Sequence, residues 1–183
     1  LMAQCGLFIP ANKAQFPIYT KFMADIGDRQ SIEDDLSTFS AHIQNLATIV
    51  ERADQNTLIL LDELGTGTDP DAGAALSRAI MEALIQKNCT VIATTHLGSL
   101  KVWASDEKGI INGGMIFDSE ALAPTYELQL GTPGASYALE ISKRMGLSDD
   151  IINRSKELVG DGSVNLENLL GQLEKERLAA ESL

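Results

Sequence analysis

The hexapeptide Leu58-Ile59-Leu60-Leu61-Asp62-Glu63 sets four apolar residues directly before two carboxylates. Together with Thr57 it makes a continuous run, Thr57 to Leu61, of the kind that suits a central parallel strand buried on both faces. Asp69 and Pro70 then supply an N-cap and a first-turn proline. They predict a helix to about Gln86 that turns Ala74, Ala75, Ile80, Ala83 and Leu84 inward. Cys89 to Ala93 reads as the next buried strand, closing on Thr94, Thr95 and His96. Strand, helix and strand with short connections form a βαβ unit, whose right-handed crossover predicts a parallel sheet in an α/β fold.

Upstream of this unit, Ser37 reads as an N-cap, and Phe39, Ile43, Leu46 and Val50 recur on one face of a helix running to about Ala53. Leu7 to Ile9, ending at Pro10, and Ile18 to Ile26, ending before Gly27, read as two short extended segments. Leu1-Met2-Ala3-Gln4-Cys5-Gly6-Leu7 has the look of the tail of an amphipathic helix with its glycine stop, so the chain is expected to be a piece of a longer protein. Downstream, Ile110 to Phe117 and Thr125 to Leu130 predict an antiparallel pair at the sheet edge, and Tyr137 to Met145 and Asp150 to Val159 predict two short helices. Gly160-Asp161-Gly162-Ser163 is a flexible break before Leu166, Leu169, Leu170 and Leu173, set among Glu and Lys. The expected division is a domain over 1–160 and a linker with the start of a charged helix over 161–183. That last seam could seed a coiled coil but is too short to define one.

The 183 residues are 44% apolar with a net charge of −12, enough to bury a real core. No tail or block accounts for the acid. A deficit of Lys and Arg excludes a free-standing basic nucleic-acid module, because affinity for a phosphate backbone comes mainly from clustered cations. Any nucleic-acid contact must come from elsewhere in a larger machine. Cys5 and Cys89 are the only cysteines, too few for a disulfide framework or a zinc site with paired ligands. The longest apolar runs fall far short of the roughly 20 residues of a membrane span. A soluble protein of the cytoplasm with no membrane partner is expected.

A buried strand would deliver Asp62 to the carboxyl edge of the sheet, where it can hold the water shell of a magnesium ion. Glu63 is then set to orient and deprotonate an attacking water. Taken alone, the hexapeptide equally suits an ordinary strand ending in solvated acids. Gly65-Thr66-Gly67-Thr68-Asp69-Pro70 follows as a tight turn suited to close approach by another subunit's backbone, or merely to leading a strand into a helix. His96, at the end of the neighbouring strand, is placed to contact the γ-phosphate of a nucleotide held at that edge, although a lone histidine is usually structural. Ser37 and Thr38, hydroxyls at a helix N-terminus, make an anion site or a plain cap. Gln30, in the polar run Asp25-Ile26-Gly27-Asp28-Arg29-Gln30-Ser31, could meet the metal or the lytic water.

Four segments in order carry a family resemblance: Asp25-Ile26-Gly27-Asp28 with Gln30-Ser31-Ile32, Leu36-Ser37-Thr38-Phe39-Ser40-Ala41-His42, Leu61-Asp62-Glu63-Leu64-Gly65-Thr66-Gly67-Thr68-Asp69-Pro70, and Ala93-Thr94-Thr95-His96. They resemble the ATPase domain of the DNA mismatch repair MutS family, which belongs to the ABC class of P-loop ATPases. Asn112, Phe117-Asp118, Pro124-Thr125-Tyr126 and Gly131-Thr132-Pro133-Gly134-Ala135-Ser136 are similar as well. The Thr-Asp-Pro after the acids and the Gly-Thr-Pro-Gly segment favour the second MutS subfamily, bacterial proteins linked to recombination suppression and ribosome rescue. The resemblance implies a three-layer P-loop NTPase with a mostly parallel sheet and C-terminal helices, using ATP and magnesium in a head-to-tail homodimer. It makes Asp62 the magnesium-side carboxylate, Glu63 the catalytic base and His96 the switch histidine. Ser37 and Thr38 would belong to a signature loop reaching the partner's ATP, and residues 65–69, with Gly67 and Asp69, would cross the same interface.

One departure is large. The chain has no G-x-x-x-x-G-K-[ST] stretch, whose N–H groups would cradle the phosphates. The family's nuclease domain and its DNA- or ribosome-engaging regions are also absent, so the chain reads as the back half of an ATPase domain, inactive by itself. The alternatives are a non-catalytic dimerisation or regulatory module, or an ABC ATPase of another family. Against the latter, Leu36-Ser37-Thr38-Phe39-Ser40 has neither the glycines nor the Gln of the usual signature loop.

Overall fold

The computed structural model describes residues 1–27, 35–118, 123–134 and 137–158. The chain divides into two compact units, Leu1–Leu100 and Lys101–Leu183. The first holds β1 (Lys21–Asp25), α1 (Asp35–Arg52), β2 (Thr57–Leu61), α2 (Pro70–Gln86) and β3 (Thr90–Ala93). The strands form one parallel sheet in the order β1-β2-β3, with Met23 beside Ile59 and Ile59 beside Val91. The predicted βαβ unit is therefore present, preceded by a second one.

Both crossovers step in the same direction across the sheet, and a fixed right hand then carries both helices to the same face. Leu46 and Ile49 of α1, Ala53 just past its end, and Leu84 of α2 meet Ile59, Leu61 and Leu64 in a single core, with Met23 and Val91 packed against it. Full burial of a side chain such as Ile59 or Leu84 contributes about 1.5–3 kcal/mol. The same topology corrects the expectation that β2 is buried on both faces. Thr57, Ile59 and Leu61 are buried, whereas Leu58 and Leu60, on the other face, are half-buried. Nor is β3 a buried strand: it lies at the sheet edge, starts at Thr90, and leaves Ile92 59% exposed.

Local chemistry sets the ends of these elements. Cys5 N–H donates to Leu1 O, Gly6 N–H to Ala3 O and Leu7 N–H to Met2 O, and Gly6 has φ +73°. That is the paired hydrogen-bond pattern of a glycine-capped helix end, as the sequence predicts. Leu7 to Ile9 forms no strand, because no neighbouring strand pairs with it, and Phe8 is fully exposed. Of Ile18 to Ile26 only Lys21–Asp25 is a strand. α1 begins at Asp35, so Ser37 and Thr38 lie in its first turn and Ser37 is not the N-cap. In the turn before β2, the Asp54 carboxylate accepts from Asn56 N–H and from the Thr57 hydroxyl. The Lys21 ammonium, hydrogen-bonded to Asp54, is the chief cause holding that carboxyl below its usual pKa.

Lys87, just past α2, donates from Nζ to Val50 O at 2.5 Å, Glu51 O at 3.2 Å and Ala53 O at 3.3 Å. A cation thus satisfies the free carbonyls at the negative end of α1. Lys87→Met is expected to lower stability by about 1–2 kcal/mol, read as an earlier urea midpoint with unchanged slope. An unchanged midpoint would contradict the capping role.

α3 (Gly98–Asp106) was not foreseen: it opens on a glycine and carries no strong apolar stripe. In the second unit, β4 (Gly113–Asp118) and β5 (Ala123–Leu130) pair antiparallel with an irregularity between Met115 and Phe117. The hairpin was expected at the edge of the parallel sheet, but it forms a separate two-stranded sheet. A Cβ on Gly114 would lie 2.8 Å from Gly134 Cα and N, so glycine there lets the segment after β5 close onto β4. Gly131 N–H donates to Asn112 O, Lys101 Nζ donates to Gly134 O, and Phe117 stacks on Tyr137 at 4.3 Å. α4 (Ala138–Arg144) and a helical stretch over 149–158 match the two predicted short helices. The break from Gly160 and the charged segment over 161–183 lie outside the described residues.

Candidate active site

The ends of three parallel strands bring Asp25, Asp62 and Thr94 together. Asp62 N–H donates to Asp25 O at 2.8 Å, and Thr94 N–H donates to Leu61 O at 2.9 Å, so each chain leaves the sheet tied to its neighbour. The Thr94 hydroxyl has two partners: it donates to Asp62 Oδ1 at 2.5 Å and accepts from Glu63 N–H at 2.9 Å. Asp62 is half-buried and the Glu63 side chain is exposed. Glu63 adopts φ +49°, a left-handed conformation costing a non-glycine residue about 1–2 kcal/mol. Such strain persists only where surrounding contacts impose it, and it gathers at functional sites. Nothing in the residue pattern signalled it.

The loop after Glu63 is fixed from both sides. Thr66 N–H donates to Glu63 O, Leu64 N–H to Thr94 O, and the Thr95 hydroxyl to Leu64 O. Gly65 and Gly67 have φ +93° and +81°, which explains both glycines. The Asp69 carboxylate accepts from Ala72 N–H at 3.0 Å as the N-cap of α2, with Pro70 behind it. Across the loop, a small cleft between α1 and α2 is lined by Asp25, His42, Asp62, Thr66 and Thr68, with Phe39 and Leu76 among its apolar walls.

The predicted residues thus lie at separate places. Asp62 and Glu63 meet at the strand end, and Gly67 and Asp69 lie in the loop that follows. His96 is exposed, two residues beyond Thr94, and does not line the cleft; Ser37 and Thr38 lie in the first turn of α1. Gln30 lies outside the described residues. Sequence reasoning missed Thr94 as the link between the two acids, and missed the pairing of Asp25 with His42, because residues on different elements share no spacing rule. Among the described residues no group of three or more His, Cys, Asp or Glu side chains is placed to hold a metal. A cation here would take the single carboxylate of Asp62, which fits magnesium, an ion that keeps several waters and takes oxygens from substrate phosphates.

Thr94→Val keeps the side-chain shape and removes both hydrogen bonds. It is expected to cost about 1–2 kcal/mol, with Thr94→Ser close to wild type in a thermal melt. A valine variant as stable as wild type would contradict the linking role.

Among the described residues no helix is long and apolar enough to cross a membrane. The family model described as MutS domain V matches residues 1–161. The chain is 50% identical over 179 residues to the endonuclease MutS2 of Thermus thermophilus, an alignment covering 98% of this chain and 24% of that protein. It is 50% identical over 182 residues to the endonuclease MutS2 of Ruminiclostridium cellulolyticum, covering 99% and 23%. With that of Lacticaseibacillus casei it shares 48% over 183 residues, covering 100% and 23%. The chain spans about a quarter of the length of these curated relatives. A family match that runs through the strand end of Asp62 and Glu63, with relatives of one name aligned over nearly the whole chain, places this protein in the MutS domain V family, in its MutS2 branch.

Proposed function

We propose that this chain is the hydrolytic half of an ABC-class P-loop ATPase domain, working on ATP and magnesium. The observation that carries this reading is the end of β2, where a half-buried Asp62 is held between the Asp25 main chain and the Thr94 hydroxyl and is followed at once by an exposed Glu63. Asp62 would hold the water shell of magnesium, and the Glu63 carboxylate would orient a water and accept its proton as the water oxygen bonds to the terminal phosphorus and the bridging bond breaks, its electron pair leaving with ADP. Magnesium, when bound, would neutralise charge on the phosphate oxygens. Thr94 keeps the two acids in fixed relation, since one hydroxyl joins the side chain of the first to the backbone of the second.

The remaining roles follow the family. His96 would report on the γ-phosphate, Gln30 would meet the metal or the water, and Ser37, Thr38, Gly67 and Asp69 would act across a homodimer. A phosphate-binding loop must come from outside these 183 residues, because the sequence has none. The exposed Phe22 and Ile92, on the sheet face turned away from α1 and α2, support a third layer packing there. On this reading residues 1–160 belong to the ATPase domain and 161–183 lead out of it. The curated relatives are named endonucleases; DNA or a stalled ribosome would be engaged by regions beyond this chain.

The isolated chain is expected to hydrolyse ATP no faster than buffer, whereas a protein joining it to a phosphate-binding loop turns ATP over. Robust turnover by the isolated chain, abolished by Glu63→Gln, would refute the divided-site reading.

A further inference from the structure

β1 and α1 are joined by a polar clamp that the proposed chemistry does not use. One carboxylate oxygen of Asp25, Oδ2, pairs with His42 Nδ1, and the other, Oδ1, accepts from Asn45 Nδ2 at 2.8 Å. Asn45 Nδ2 also lies 3.2 Å from Ala24 O. The clamp is sheltered, with the Asp25 side chain 13% exposed and that of His42 27% exposed. Both residues line the cleft that contains Asp62, Thr66 and Thr68. The Asp25 carbonyl is the acceptor for Asp62 N–H, so one residue receives α1 through its side chain and Asp62 through its main chain. No other partner of the His42 ring is found among the described residues. The two neighbours of Asp25 therefore reach it through separate groups.

We propose that Asp25, His42 and Asn45 form a positioning clamp that sets α1, and with it the first-turn residues Ser37 and Thr38, against the strand end carrying Asp62. This rests on the ATPase reading for its functional consequence, but its chemistry is independent of it. A carboxylate can only accept, so Nδ1 of His42 must carry a proton. The pairing thus fixes a proton on Nδ1 and with it the orientation of the ring. The acid orients the imidazole as the buried Asp of a catalytic triad does, but here the ring anchors a helix to a strand. Loss of the clamp frees α1 to move relative to Asp62 without altering either acid.

The first test uses the whole 183-residue chain. It has only two histidines, so His42→Asn assigns the ring signals in a long-range 15N–1H spectrum. Nδ1 of His42 is expected at the shift of a protonated nitrogen; an unprotonated Nδ1 would overturn the proposal. The second test measures ATP turnover in a protein that joins this chain to a phosphate-binding loop. His42→Leu should lower kcat about tenfold with KM within about twofold, the scale of one lost charge-assisted hydrogen bond. His42→Asn, whose amide N–H can replace Nδ1–H, should recover most of that loss. Wild-type turnover in His42→Leu, or an asparagine variant as slow as the leucine one, would overturn the positioning role. Glu63→Gln runs beside them: if it leaves turnover intact, the ATPase reading fails, and the nitrogen shift alone then decides the clamp.

Discussion

Gly73→Ala is expected to destabilise the fold around the site strongly, although glycine inside a helix is ordinarily a weakness that alanine repairs. A Cβ on Gly73 would stand 2.2 Å from Gly65 O, 3.2 Å from Gly65 C and 3.3 Å from Thr68 Cγ2. Two of these atoms are backbone and cannot swing aside. The contact is tight from the other side as well: a Cβ on Gly65 would stand 2.6 Å from Leu97 Cδ1 and 2.8 Å from Ser77 Oγ. Gly73 is anchored too: its N–H donates to Asp69 O, and its carbonyl accepts from the buried Ser77 hydroxyl at 2.7 Å. Overpacking costs about 1–3 kcal/mol where side chains can yield, and a clash of backbone with backbone falls at or above the top of that range. Against a total stability of about 5–15 kcal/mol, the melting temperature should fall by roughly 10 °C or more. Gly98→Ala is the control, since a Cβ there meets nothing within 4 Å. Wild-type melting of Gly73→Ala would contradict the close packing of the 65–68 loop on α2.

That contact also marks a boundary of what the sequence reveals. Periodicity and capping located β2 and α2, because Asp69, Pro70 and the run Thr57–Leu61 act through neighbours in the chain. They did not reveal why Gly73 is glycine: its partner, Gly65, belongs to the loop ahead of the helix and meets it only once the chain has turned back. The half-exposed face of β2 was hidden for a related reason. An unbroken apolar run states that both faces are greasy, but which face is covered depends on the hand and direction of two crossovers. At the site, Asp62 and Glu63 were legible from their place after a buried strand. Thr94 was not, because its hydroxyl bridges them from another strand, and Asp25 with His42 escaped because a strand end and a helix share no period. His96, which the pattern also marked, lies exposed beyond the cleft.

Glu63→Gln is expected to have the largest effect on chemistry. Glutamine is nearly isosteric and keeps the backbone N–H that Thr94 accepts, so fold and loop should persist. What disappears is a carboxylate able to take a proton, and loss of a positioned general base costs about 100- to 10,000-fold in rate. The exposed side chain and the left-handed backbone of Glu63 both fit a group presented outward to a water and a bound phosphate. The same substitution should leave nucleotide binding intact, since Asp62 and the phosphate-binding loop are untouched. The decisive measurement is a single-turnover assay of ATP cleavage by Glu63→Gln, in a protein that joins this chain to a phosphate-binding loop, with binding of a fluorescent ATP analogue followed in parallel. Retained binding with cleavage lowered at least about 100-fold is the predicted result; cleavage at the wild-type rate would contradict it.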